Sequence, residues 1–331
     1  MGVKWSRGRQ ERSAVQDEAR GRIYDSVLDT IGATPLVRAS RLAAARGIDA
    51  EILLKLEFFN PLGSVKDRIG PAMIDELERR HGLDGNSVLV EATSGNTGIG
   101  LALVAAVRGL KLIVTLPADK SIERRKMLAL MGVEVVLTDP ARAMAGAVAK
   151  AEEIVAATPG AILVQQFDNP GNPQIHRETT AEEIWRDCGG RLDALVCGVG
   201  TGGTITGVGE VLKARNPDIK IFAVEPAGSP TLSGGKPGHH ELQGIGASYP
   251  SSFLNREIID EILQAGDDEA YDMAREVARR EGLPVGVSSG AAIAVALRIA
   301  QRPGWDDRRI VAIVPSFAER YISTRLFPDA V

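Results

Sequence analysis

Cysteine is almost absent from this chain of 331 residues: the two present, Cys188 and Cys197, cannot build a disulfide framework and fit a reducing cytosol. Cys197 lies in an apolar strand-like run and reads as core rather than nucleophile. Histidine is scarce too. Its four copies show no metal-ligand spacing, so no metal is expected. His239-His240 lies in a Gly/Pro-rich loop and reads as solvated, and His176 is given no role beyond capping or orienting a loop. Charge of either sign is not in large excess: the formal net charge of −4 predicts no nucleic-acid partner. No apolar run reaches the roughly 20 residues of a membrane span. The polar stretch at residues 1–22 has no apolar segment of the secretory-signal kind. Met1-Gly2-Val3-Lys4-Trp5-Ser6 matches the short myristoylation pattern, but a disordered extension is the expectation for these residues. No internal repeat is visible. The remaining class is a cytoplasmic globular protein.

What is present is alternation. Apolar strand-like runs recur at 52–59, 87–91, 111–116, 133–137, 161–164, 194–197, 219–224 and 310–314. Helical patterns fill the gaps, as at 69–80, 99–108 and 122–131, the last closed by Gly132. Such alternation predicts an α/β fold with parallel sheets.

Lys66 is the most informative residue. It follows the first of these runs in Asn60-Pro61-Leu62-Gly63-Ser64-Val65-Lys66-Asp67-Arg68. The Ser64-x-x-Asp67 spacing is that of a capping box, which places Lys66 in the first turn of a helix. The positive end of the helix dipole disfavours a cation there. A neutral amine results, suited to Schiff-base chemistry.

Three more segments carry chemistry. Thr93-Ser94-Gly95-Asn96-Thr97-Gly98 crowds hydroxyls, an amide and two glycines into a strand-to-helix turn, a nest for a small carboxylate. Gly198-Val199-Gly200-Thr201-Gly202-Gly203-Thr204 is a phosphate cradle before a helix near 205–215. Gly198, Gly200 and Gly203 also satisfy G-x-G-x-x-G, and Glu225 lies about 20 residues on, as a dinucleotide site requires. That motif alone does not separate a dinucleotide from a phosphate monoester, although the threonine hydroxyls favour a compact phosphate. Gly286-Val287-Ser288-Ser289-Gly290 precedes a helix at 291–298 and reads, by itself, as a capped start.

This ordered set resembles the β-family, or fold type II, of pyridoxal-phosphate enzymes, and within it the O-acetylserine sulfhydrylases (cysteine synthases). The likeness runs from about Ile23 onward. It includes Ile31-Gly32-Ala33-Thr34-Pro35-Leu36, Ser121-Ile122-Glu123-Arg124-Arg125-Lys126-Met127, Gln165-Gln166-Phe167-Asp168-Asn169-Pro170, His176-Arg177-Glu178-Thr179-Thr180 and Glu319-Arg320-Tyr321-Ile322-Ser323-Thr324. It implies two parallel-sheet α/β domains with the active site in the cleft between them. The smaller, mobile one spans 59–168. The larger spans 169–331 and binds the cofactor phosphate, with 23–58 adding strands to it.

The resemblance also implies residue roles. Lys66 holds pyridoxal 5'-phosphate and acts as the catalytic base. Asn96 meets the phenolic oxygen, and Gly200, Thr201, Gly202, Gly203 and Thr204 hold the phosphate. Ser288 meets the pyridine nitrogen, with the adjacent Ser289 left open. Thr93, Ser94, Thr97 and Gln166 bind the substrate carboxylate. The implied reaction is β-replacement on O-acetyl-L-serine by sulfide, through an aminoacrylate, in a homodimer that can bind the C-terminal tail of serine acetyltransferase.

Departures from the family pattern are Ala92 for a proline, Ala145 for a lysine, and Ser248-Tyr249 for Gly-Phe in a loop that borders the active-site mouth in the family. The last keeps other acceptors open, as in cystathionine β-synthase or a specialised β-substituted alanine synthase. A dinucleotide-dependent oxidoreductase and a non-catalytic binding subunit are the remaining alternatives.

Overall fold

The apolar runs do not join into one sheet. They sort into two, each covered on both faces by helices. The computed structural model describes residues 22–246 and 251–327. The expected N-terminal extension, except residue 22, and the variant loop residues Ser248 and Tyr249 lie outside the described residues.

The strands are β1 (Leu36–Arg38), β2 (Glu51–Leu56), β3 (Val88–Ala92), β4 (Lys111–Pro117), β5 (Glu134–Thr138), β6 (Ala161–Leu163), β7 (Ala194–Gly198), β8 (Lys220–Pro226), β9 (Glu261–Ala265) and β10 (Arg309–Val314). One sheet has the order β1-β2-β10-β7-β8-β9 and the other β5-β4-β3-β6. Among the named strands of the described residues, β1 and β2 pair antiparallel and the other pairings are parallel.

The helices are α1 (Ser40–Ala44), α2 (Lys66–His81), α3 (Asn96–Arg108), α4 (Ile122–Leu130), α5 (Ala143–Ala157), α6 (Gly171–Ile175), α7 (Ala181–Asp187), α8 (Gly203–Arg215), α9 (Asp267–Glu281) and α10 (Val287–Ala300). Leu42, Tyr271, Val277 and Ile293 of α1, α9 and α10 cover one face of the six-stranded sheet. Ile184 and Leu212 of α7 and α8 cover the other. The four-stranded sheet lies between Ile69, Ile99 and Leu128 of α2, α3 and α4 and Ala151 of α5. Burial on both faces explains why the central strands read as unbroken apolar runs.

Several helices start earlier than apolar periodicity predicts. They begin at Lys66, Asn96, Gly203 and Val287 rather than at 69, 99, 205 and 291. Lys66, Asn96 and Ser288 in three of these first turns line the cavity described below, and α8 opens on Gly203 and Thr204 beside it, so the apolar stripe begins late. The first strand-like run stops at Leu56, and residues 57–59 form a 3₁₀ turn. The capping box at α2 also takes a different form. Val65 is the N-cap residue, the Ser64 hydroxyl accepts from Lys66 N at 3.2 Å, and Asp67 reaches back to Leu62 N at 2.7 Å.

Candidate active site

Parallel strands deliver their following loops to one edge of a sheet. The edges of the two sheets face each other across a cavity of about 610 Å³. The turn after β3 (Thr93 to Thr97), the loop after β7 (Gly200, Thr201) and the end of β10 (Pro315, Ser316) all line it, with Lys66 and Ser288.

Lys66 opens α2 and is pinned from both sides. Val65 N donates to Pro315 O beyond β10 at 2.8 Å. Its own carbonyl packs so closely on Gly100 of α3 that a Cβ there would collide with it, so only glycine permits this crossing. Burial lowers its pKa to about 8, opposed by Cys197. The direction agrees with the expectation from the helix dipole, but the cause is desolvation. Burial also pushes the Cys197 thiol up to about 12, so it stays protonated beside the lysine.

Two residues on, Arg68 is fully enclosed and anchors this end of α2. Its Nε donates to Glu57 Oε2 at 2.6 Å and its Nη2 to Glu183 Oε2 at 2.7 Å. Lys55 Nζ reaches the same Glu183 oxygen at 2.8 Å. Asp187 Oδ2 lies 3.8 Å from the same Lys55 Nζ, so three acids surround two bases. Although burial works against it, Glu183 is held down at about 2 by Arg68 and Lys55.

In the turn after β3, Gly95 N donates to Thr93 Oγ1 at 3.1 Å. Thr97 Oγ1 donates to Gln166 Oε1 at 2.7 Å, and Gln166 Nε2 donates to Glu91 Oε1 at 2.9 Å. One amide hydrogen of Gln166 is left for another acceptor. Glu91 also takes Gln165 N at 2.9 Å, which steadies Gln165 at its left-handed φ of 60°. Burial raises Glu91 to about 7. Asn96 lines the cavity, and its buried Oδ1 has no partner among the described residues.

The cradle before α8 is built from close approach. A Cβ at Gly200 would meet Gly244 O, and one at Gly203 would meet the Asn172 amide. Gly202 has φ 85°. Asn172 Nδ2 donates to Gln166 O at 2.8 Å and Thr201 Oγ1 at 3.1 Å, which links the cradle to the turn across the cavity. Of the serine pair, Ser288 lines the cavity. Ser289 is fully buried, with its hydroxyl unpartnered among the described residues.

Two histidine readings change. His176, given no particular role, is buried and lies 3.1 Å from Thr204 Oγ1 through Nε2 and 2.8 Å from Thr180 Oγ1 through Nδ1. It sits at the start of a π-helical turn over His176–Thr180, a feature common at functional sites. Burial lowers its pKa to about 3, so the ring is neutral. His240, expected in solvent, is half-buried and lines the cavity.

Glu225 does not serve a ribose. Its carboxylate accepts from Leu232 N at 2.7 Å, from Ser233 N at 3.3 Å and from the Ser233 hydroxyl. These bonds close its own loop, and the G-x-G-x-x-G match therefore lacks its acidic partner.

Comparison with known proteins agrees with this geometry. The chain is 46% identical over 304 residues to a cysteine synthase of Staphylococcus aureus, covering 92% of this chain and 97% of that relative. Its structure matches cysteine synthase (OASS) from Entamoeba histolytica with a TM-score of 0.90 at 40% identity, covering 94% of each chain. It also matches the O-acetylserine dependent cystathionine beta-synthase from Helicobacter pylori, with a TM-score of 0.86 at 37% identity, covering 93% of this chain and 100% of that one. Residues 27–316 match the model of the pyridoxal-phosphate dependent enzymes, and the chain belongs to that family.

Proposed function

We propose that this protein is a cytoplasmic O-acetylserine sulfhydrylase, which replaces the acetoxy group of O-acetyl-L-serine by sulfide and releases L-cysteine and acetate. One observation carries the reading: a lysine of lowered pKa, a polar turn at one helix start and a glycine cradle at another meet in a single cavity. The sequence likeness to a cysteine synthase supports cysteine as the product.

The residues fit pyridoxal 5'-phosphate. The cradle is kept open where side chains would fill it, and the Asn96 amide lines the cavity with an NH2 group that can donate to a phenolic oxygen. Gly200, Thr201, Gly202, Gly203 and Thr204 would hold the phosphate, Asn96 the phenolic oxygen, Ser288 the pyridine nitrogen and Lys66 the aldehyde carbon. When bound, the cofactor supplies an electron sink for removal of the substrate α-proton.

Lys66 Nζ is the base that takes that proton and later returns it. A pKa of about 8 keeps the neutral amine accessible near neutral pH. Thr93, Ser94, Gln166 and the backbone N–H of Thr97 bind the α-carboxylate, the Thr97 hydroxyl proton being given to Gln166. Thr97 also orients Gln166 through the 2.7 Å bond between them. His176 holds the Thr204 hydroxyl without adding charge. Ser288 offers a neutral hydroxyl, which favours elimination over transamination.

In this reading residues 59–168 form the smaller, mobile domain, and 169–331 with 23–58 form the larger. The chain assembles as a homodimer and binds the C-terminal tail of serine acetyltransferase. Light scattering and a peptide titration against O-acetylserine test those two points. The activity is tested by product analysis with sulfide and homocysteine in competition. Cysteine as the main product supports the proposal, and cystathionine as the main product contradicts it.

A further inference from the structure

Two segments that carried the family resemblance have no role in the chemistry above: Ser121 to Met127, and Glu319 to Thr324. In the structure they meet at the cavity wall. We propose that Arg124 is a positioning residue for the amino-acid carboxylate, acting by clasping the Thr93–Thr97 turn to the C-terminal segment. The inference rests on the functional reading above.

Arg124, in the first turn of α4, is buried and 6% exposed. Its Nη1 donates to the Ser94 carbonyl at 3.1 Å. Its guanidinium carbon lies 5.4 Å from the centre of the Tyr321 ring, within cation–π range. The neighbouring Glu123 joins the same two segments: Oε1 accepts from Ser323 N at 3.0 Å, and Oε2 accepts from Ser121 Oγ at 2.6 Å. Tyr321 is fixed in turn by Ser316 Oγ at 2.7 Å. Ser94, Tyr321 and Ser316 line the cavity, whereas Arg124 stands behind them.

The peptide between Ser94 and Gly95 is therefore held at both ends. Arg124 takes its carbonyl, and Thr93 Oγ1 takes its N–H. The residue after it is glycine, which leaves that plane free to rotate once either hold is lost. Rotation would turn the donors of the turn away from a bound carboxylate. Charge adds to position. Among the described residues no carboxylate lies within ion-pair distance of Arg124, and its Nε has no partner. A buried cation without an acid beside it raises the potential at an anion subsite.

The test uses the purified holoenzyme and its Arg124→Ala, Arg124→Lys and Glu123→Ala variants. Each is titrated with L-alanine, which has the carboxylate but no leaving group, and with L-alaninamide, which lacks the carboxylate. Binding is read from the absorbance of the bound cofactor, and thermal midpoint and cofactor content are measured alongside. Arg124→Ala is expected to weaken L-alanine about tenfold, the size of a lost hydrogen bond to a charged donor, and to leave L-alaninamide unchanged. KM for O-acetylserine should rise in step while kcat holds. Glu123→Ala should act the same way more weakly, and Arg124→Lys should restore part of the loss. Equal loss for both ligands, or no loss for L-alanine, overturns the proposal. If Arg124→Ala does not fold, the other two variants decide by the same criterion. A wild-type holoenzyme that ignores both amino acids, yet binds the cofactor, defeats the functional reading itself, and the clasp falls with it.

Discussion

The two walls of the cavity are built by different physics. The cradle at Gly200 to Thr204 is shaped by exclusion: glycines stand where any Cβ would meet Gly244 O, Asn172 or Leu254. The turn at Thr93 to Thr97 is shaped by bonds from partners elsewhere in the chain, namely Gln166 on Thr97 and Arg124 on Ser94. A wall made by close approach tolerates little change, because packed interiors have almost no slack. A wall made by hydrogen bonds loses affinity in steps of about 1 kcal/mol as each bond is removed. Lys66 lies between them, fixed to β10 on one side and to α3 on the other.

Mutations should separate the two walls by the size of their effects. Lys66→Ala removes the one group shared by both and should abolish turnover while circular dichroism and the thermal midpoint stay native. Gly200→Ala overpacks the cradle by about 1–3 kcal/mol, so cofactor affinity should fall roughly 10- to 100-fold, measured by titrating the apoprotein with pyridoxal phosphate. Thr97→Val removes a single bond from the other wall. The KM for O-acetylserine should rise about fivefold with cofactor affinity unchanged, and a loss of cofactor would blur the contrast.

The smallest effect is expected at His176, whose pKa is depressed from 6.5 to about 3. Between those values the unfolded chain binds a proton that the native chain refuses, so this residue's contribution to stability is intact above pH 6.5 and is lost as pH falls toward 3. The loss is about 1 kcal/mol at pH 6, and it should be missing from the pH–stability profile of His176→Gln relative to the native chain.

This contrast also explains what was legible in the sequence. Lys66, the Thr93 turn and the cradle could be found because each is a local pattern next to a helix start. The α/β class followed from the alternation of strands and helices. The division into two sheets came from the family resemblance and not from the alternation, because apolar runs carry no record of which strand pairs with which. The contacts that steady the two walls were invisible for a similar reason: Glu91 and Gln166 are 75 positions apart, Arg124 and Ser94 are 30, and, at the cradle, His176 and Thr204 are 28. His176 gave one faint signal, its place among residues shared with the family. Glu225 misled because spacing alone cannot show that a carboxylate is already engaged by its own loop. The cause of the Lys66 shift was misjudged because a helix start can be read from sequence and complete enclosure cannot.

The most direct test of the central claim is an absorbance scan of the purified protein before and after addition of O-acetyl-L-serine. The account predicts a yellow protein whose visible band moves to longer wavelength with the substrate and returns when sulfide is added. A protein that stays colourless after incubation with pyridoxal phosphate, or a yellow one whose spectrum ignores O-acetyl-L-serine, would contradict it.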